Sequence, residues 1–388
     1  MTRAAVVQTD LQDSREAGTA LGNQVSRAFE GERPDALILF ASPRYEFAPL
    51  LQALEAACRP ALLVGSSSAG EFTSQSQGVG MACAVALRAP EMRFQASVGR
   101  DLSKDRQRAA RALTSRFEGI SNPGWAYRTA LVLIDALAGH ADDLVEHLSV
   151  LTAGTYRLFG GGAGGDDQFK RRVVFLGTEE IVDGAVALEI LSNKPIGVGV
   201  AHGWAPSGDS FRVTEAEGTR LGSLNAVAAA EVFEEHAART GQKLDCKEPL
   251  PFFLHNVIGV DTGKGHKLRV PLAVNEDGSV ACATEVPEGA TACVMGVSTS
   301  AAAKAAARST REALRQLEGN KPAVALFFDC VATRLRMGKD FGVELEAVQG
   351  ELGEAKFAGC NTIGQIASAE GQFSGFHNCT AVVCVIPE

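Results

Sequence analysis

Four things are missing from this chain, and each absence narrows its function. There is no stripe of Lys and Arg: 37 basic against 46 acidic side chains leave a formal charge of −9, and such a surface repels a polyphosphate backbone. Nucleic acid is therefore excluded as an expected partner. The opening "MTRAAVVQTDLQDS" meets charged residues before any apolar core of signal-peptide length, which predicts a cytoplasmic protein. No window approaches the ~20 apolar residues of a membrane span, so no membrane partner is expected. The nine cysteines form no C-x-x-C pair, which removes zinc-ribbon spacing and covalent c-type haem attachment. Odd in number and scattered, they read as buried free thiols in a reducing compartment. What remains is 388 residues, 46% of them hydrophobic, too many for one ordinary core.

Within that length one pattern recurs. "PDALILF", "FAPLLQALEAAC" and "PALLV" lead into "GSSSAGEF" at residues 65–72. "RTALVLIDAL", "ADDLVEHLSVLTAG" and "YRLF" lead into "GGGAGGDD" at 160–167, and "PAVALFFDC", "FGVELEAVQGEL" and "AKFAGC" run into "GCNTIGQI" at 359–366. Each time, strand, helix and strand end in G-x-x-x-x-G followed by Glu71, Asp166 or Gln365. Any α/β chain repeats strand–helix–strand with glycine turns; an acceptor at one fixed offset favours repeated structural units. The expected fold class is α/β (mixed α+β), with two domains, 1–220 and 221–388, built from such units on mixed sheets.

The loops have nearly the spacing of a phosphate-binding loop, but that loop needs Lys and then Ser or Thr after the second glycine. Here Glu71 and Phe72 follow, so the charge has the wrong sign for phosphate. Glycine turns at strand ends expose amide N–H groups and let a ligand approach. Acceptors there suit a ligand with donors. The competing reading is that each acceptor caps its own neighbouring backbone.

Between the second and third units, "IGVGVA" reads as a buried strand and "HGWAPSGDSF" as a turn carrying one of two tryptophans. A helix is expected from Ser223 to about Thr240, then a meander through "HKLRVPLAVNEDGSVACATEVPEGATACVMGVS", and a helix ending at Gly319.

Taken together, "LFASPRYEFAPLLQAL", "GSSSAGEF", "FGGGAGGDD", "AHGWAPSGDSFRVTEAEG" and "GCNTIGQIA…SGFHNCTAVVCVIP" resemble the FIST proteins over about residues 30–385. The resemblance implies a cytoplasmic sensory module without catalytic activity that binds a small ligand. It also implies signalling to a histidine kinase or a cyclic-di-GMP enzyme, and it leaves a homodimer open. Some two-domain relatives are nitric-oxide-sensing haem proteins. Gln365 and Ile363 stand where many relatives have Glu and an aromatic residue.

Haem requires a neutral imidazole and a wide apolar slot. His202, beside Trp204, is the first candidate axial ligand, with His377 and His255 as alternates. A non-haem sensor of amino acids or another metabolite is one alternative; a thiol enzyme using Cys360 is another, although it lacks an evident base. The expected ligand site gathers Ser66, Ser67, Ser68 and Glu71 with Asp166 and Asp167, and faces them with Cys360, Asn361, Thr362 and Gln365. Trp204 is expected as its apolar wall.

Overall fold

A computed structural model describes residues 1–122, 124–165, 171–368 and 374–388. Its architecture is mixed α/β, and the repeat read from the sequence is present in three copies. The first unit carries strands Arg3–Thr9, Ala36–Ala41, Leu62–Ser67 and Ala82–Arg88 with helices Ser14–Ala28 and Phe47–Cys58. The second has strands Met92–Arg100, Tyr127–Ile134, Arg157–Gly162 and Gly184–Ser192 with helices Arg106–Thr114 and Ala141–Leu151. The third has strands Gly197–Ala201, Pro322–Cys330, Lys356–Thr362 and Ala381–Pro387 with helices Thr299–Arg315 and Gly342–Leu352. In every unit the strands lie in the order first, fourth, second, third, and the second and third are parallel.

Each sheet is completed by a hairpin that belongs to a different unit. Glu71–Thr73 and Gln77–Gly78, after the first glycine loop, extend the third sheet. Gln365–Ser368 and Ser374–His377, after the third loop, extend the second. Val174–Leu176 and Glu179–Ile181, downstream of the second loop, extend the first. The exchange closes a ring: every unit lends a hairpin and receives one.

Strand periodicity explains how the ring packs. Ile38 and Phe40, Leu131 and Leu133, and Leu326 and Phe328 point from the three sheets into one shared core. Their neighbours Leu37 and Leu39, Val132 and Ile134, and Ala325 and Phe327 face the helices outside. Strands buried on both faces read as unbroken apolar runs, which is why "DALILF" and "TALVLI" were legible. Phe328 joins the three units, with its ring centroid 5.5 Å from Phe40 and 6.1 Å from Phe159.

Residues 205–296 form a separate antiparallel sheet inserted between the first strand and first helix of the third unit. It has its own core around Val213, Leu221, Phe233 and Phe253. The stretch expected as a turn, with "APSGDSF", is instead the start of a 13-residue strand, Ala205–Glu217. Its irregular register explains the deception: pairing with Thr291–Gly296 jumps between Pro206 and Ser210. The helix expected from Ser223 begins at Ala229, because Arg220–Leu224 continues the sheet. It ends at Thr240, where Gly241 takes the left-handed cap at φ 68°. The later helix stops at Arg315, short of Gly319. The expected boundary between 220 and 221 falls inside strand Arg220–Leu224. Among the described residues no helix is long and apolar enough to cross a membrane.

Candidate functional site

The first glycine of each loop lies within a strand. Gly65, Gly160 and Gly359 sit opposite Leu39, Val132 and Phe327, where a Cβ would stand 2.2, 2.1 and 1.8 Å from the facing carbonyl oxygen. These glycines permit close backbone packing, a structural use of the motif.

Beyond those glycines the three chains meet. Gly164 N–H donates to the Ser67 carbonyl at 2.9 Å, Ala69 N–H to the Asn361 carbonyl at 3.0 Å, and Gly162 N–H to the Gly364 carbonyl at 3.0 Å. The three loops therefore form one junction, as a shared site requires. The side chains behave differently from the expectation. Glu71 and Gln365 each open an exchanged strand, so each reaches back to the backbone beside it. Glu71 accepts from the Ser68 hydroxyl and from Met81 N–H at 2.8 Å. Gln365 donates to Thr362 Oγ1 at 2.9 Å and accepts from Thr380 N–H at 3.2 Å. Ser67 Oγ donates to the Gly164 carbonyl at 2.6 Å and accepts from Val173 N–H. Thr362 Oγ1 donates to the Asp329 carbonyl at 3.1 Å. Ser66 and Cys360 are buried in the interior. Asp166 and Asp167 lie outside the described residues.

What the junction does offer is a cleft of about 610 Å³. Ser68, Ala69 and Gly80 line it from the first unit, Gly165 from the second, Arg334 and Leu335 from the third, and Leu250 from the inserted sheet. Adjoining it is a chamber of about 180 Å³ walled by Glu71, Phe72, Arg334 and Asn361. Val79 and Arg334 belong to both. Burial pushes the Glu71 carboxyl up to about 7, against the lowering effect of its hydrogen bonds and of Arg334. Of the residues expected at the site, Ser68, Glu71 and Asn361 face these cavities. Arg44, Val79, Leu250, Arg334 and Leu335 were missed. They lie outside the three glycine loops, and the exchange of hairpins that brings them together leaves no local pattern.

Trp204 is not a wall of the cleft. It packs with Cys330, Ala332 and Cys379, with the Arg336 guanidinium 5.8 Å from its ring centroid. It shares with His202, Asp329 and Glu344 a space of about 10 Å³, room for about one water and far too small for a porphyrin. His202 Nε2 lies 3.1 Å from the His266 carbonyl oxygen, and burial pulls its imidazole down to about 4. His377 is buried and pulled down to about 3, also by desolvation. His255 is exposed at the edge of the inserted core. These imidazoles meet the neutrality a haem ligand needs, but the space at His202 does not fit the group. Among the described residues no group of three His, Cys, Asp or Glu side chains could hold a metal ion.

Two family models match the chain: the FIST N domain over residues 35–227 and the FIST C domain over residues 229–368. The chain belongs to the FIST family. FIST domains are associated with sensory signalling and small-ligand binding. Both FIST models meet inside the inserted sheet, between its second strand and helix Ala229–Thr240. No curated protein matches this FIST chain. Solved structures overlap it distantly. A cyanuric acid hydrolase from A. caulinodans is 8% identical, with 100% of this chain and 99% of the other covered at a TM-score of 0.33. T. maritima PurL complexed with AMPPCP is 12% identical, with 99% and 72% covered at a TM-score of 0.24. Phosphoribosylformylglycinamidine synthase II from Thermotoga maritima is 10% identical, with 99% and 71% covered at 0.22. At such scores neither a site nor an activity carries over.

Proposed function

We propose that this FIST protein is a non-catalytic sensor that holds a small polar molecule in the cleft where its three units and its inserted sheet meet. The observation that carries the reading is the composition of the wall: one ligand there touches all four parts of the chain. A ligand that fits one arrangement of those parts better than another shifts their equilibrium, which is an output without chemistry. Arg334 at the threshold suits an electron-rich ligand group, and the Ser68 hydroxyl, which gives its proton to Glu71, keeps lone pairs for a ligand donor. At about 610 Å³ the cleft is of the size that takes a drug-sized ligand, so an amino acid fills only part of it. The signal then passes to a histidine kinase or a cyclic-di-GMP enzyme.

The thiol-enzyme alternative is disfavoured by its own nucleophile. Cys360 lies in the shared core, and burial raises its thiol well above the ordinary range, with Cys83 and Glu71 adding to the effect. A haem sensor would need a slot that the surroundings of His202 do not provide.

The test is thermal denaturation across a library of amino acids, nucleotides, small carboxylic acids and haemin. Ligand at 100 times its dissociation constant stabilises by ~2.7 kcal/mol, a shift of ~3 °C for a chain of this size. Val79 is 63% exposed and borders both cavities, so Val79→Trp fills the site without touching the core. A shift that Val79→Trp abolishes supports the reading. No shift, or one indifferent to Val79→Trp, overturns it; a stoichiometric Soret band lost in His202→Ala would return haem to the question.

A further inference from the structure

Asn361, the last residue but one of strand Lys356–Thr362, lines the chamber. Its main chain is tied on both sides, N–H to the Gly70 carbonyl at 2.8 Å and carbonyl to Ala69 N–H at 3.0 Å. The residue is 1% exposed. Yet neither Oδ1 nor Nδ2 of its side chain has a hydrogen-bond partner among the described residues. Each buried polar atom left this way costs about 1–3 kcal/mol, so an amide with both ends open calls for an explanation.

The other two units show that the opening is particular to this position. Counting from the first loop glycine, the equivalent of Asn361 is Ser67 in the first unit and Gly162 in the second. Ser67 is fully occupied by the Gly164 carbonyl and Val173 N–H, and Gly162 has no side chain to satisfy. Gly70 packs against the Asn361 amide: a Cβ there would stand 2.6 Å from Asn361 Oδ1 and 3.0 Å from Arg334 Nε, so no side chain fits between them. The chamber of about 180 Å³ is many times the ~10–15 Å³ that one water needs, so it has room for a ligand of several heavy atoms.

An asparagine side chain presents a donor and an acceptor side by side. Its complement is another such edge with the order reversed. The same wall carries the Glu71 carboxyl together with the cations Arg334 and Lys339; these charges offset one another, so a neutral group fits. We propose that the chamber binds a cis-amide edge, an N–H beside a carbonyl as in a lactam, a cyclic imide or a primary carboxamide, paired head to head with the side chain of Asn361. This deepens the cleft reading and rests on it.

The probes are 2-pyrrolidone, which carries that edge on six heavy atoms, and N-methyl-2-pyrrolidone, which keeps the carbonyl and loses the donor. Each is titrated into the full chain by saturation-transfer NMR. The lactam is expected to bind, at least tenfold more tightly than its N-methyl analogue, and to lose at least tenfold in Asn361→Leu. Asn361→Asp, which keeps the shape and replaces the donor by an acceptor, is expected to lose as much, and serves if the Leu variant does not fold. Equal affinity for the two probes, no binding of the lactam, or undiminished binding in both variants overturns the proposal. The two readings fail separately. A metabolite blocked by Val79→Trp but indifferent to Asn361 leaves the cleft in place, whereas the absence of any ligand sensitive to Val79→Trp removes both.

Discussion

Glu71 and Gln365 do the same work in different units: each opens an exchanged strand and each binds the N–H just before its own unit's fourth strand. Met81 N–H reaches Glu71 at 2.8 Å, and Thr380 N–H reaches Gln365 at 3.2 Å. Each also bonds the hydroxyl three residues earlier, Ser68 or Thr362. One of the pair is an acid and the other its amide, so the protein contains its own control for the charge.

That control predicts a pH dependence. Burial raises Glu71 from 4.5 to about 7, so its contribution to stability is complete below pH 4.5 and is lost as pH rises through 7. Glu71→Gln can copy the Gln365 pattern, accepting from Met81 and donating to Ser68. Urea denaturation should find the variant close to wild type at pH 4.5 and more stable at pH 8, by at most ~3 kcal/mol. A gain that does not grow between those pH values would contradict the assignment. Glu71→Leu strands the Met81 N–H and should be destabilised at both, by ~1–3 kcal/mol.

The loop glycines separate from the free ones by what a side chain would meet. Gly359→Ala places a methyl 1.8 Å from the Phe327 carbonyl oxygen and should cost ~1–3 kcal/mol or more. Gly350, in helix Gly342–Leu352, has open space where a methyl would stand, with nothing within 4 Å. Gly350→Ala should stabilise by up to ~1 kcal/mol. The two melting temperatures should move in opposite directions, and a common direction would refute the packing argument.

The repeat was visible in the sequence because both-face burial writes unbroken apolar runs, and because glycines are needed wherever two parallel strands come that close. The shared junction of the three loops was visible too. The side-chain roles were hidden, since Glu71 as a ligand group and Glu71 as a backbone tie have the same spelling. Arg334 and Leu250 were hidden for another reason: their place at the cleft depends on the cyclic exchange and on the docking of the insert, and neither leaves a periodic trace. Trp204 misled because a jump in strand register between Pro206 and Ser210 looks like a turn.

Phe328 tests whether the ring is one cooperative body. Its ring meets Phe40 at 5.5 Å and Phe159 at 6.1 Å, so it contacts both other units. Phe328→Ala should cost ~3–5 kcal/mol and lower stability in a single transition, monitored in parallel by circular dichroism and intrinsic fluorescence. Separate transitions would show units that fold independently.

The inserted sheet is held to the ring through Asp142, at the start of helix Ala141–Leu151. Its Oδ2 accepts from Arg269 at 2.8 Å, and Oδ1 accepts from Lys267 at 3.4 Å and from Phe376 N–H at 3.3 Å. One carboxylate thus joins the second unit, the insert and the hairpin lent by the third. Arg269 is only 4% exposed, and it keeps bonds to the Glu285 and Leu268 carbonyls when Asp142 is removed. Asp142 is itself partly open to solvent, so the loss in Asp142→Ala should be moderate, ~1–3 kcal/mol. Its location matters more than its size. Hydrogen exchange should accelerate in strand His266–Arg269 and near Phe376 while strands such as Ala36–Ala41 stay protected. Uniform acceleration across the chain would mean that Asp142 supports the whole fold and that the insert has no separate freedom to report a ligand.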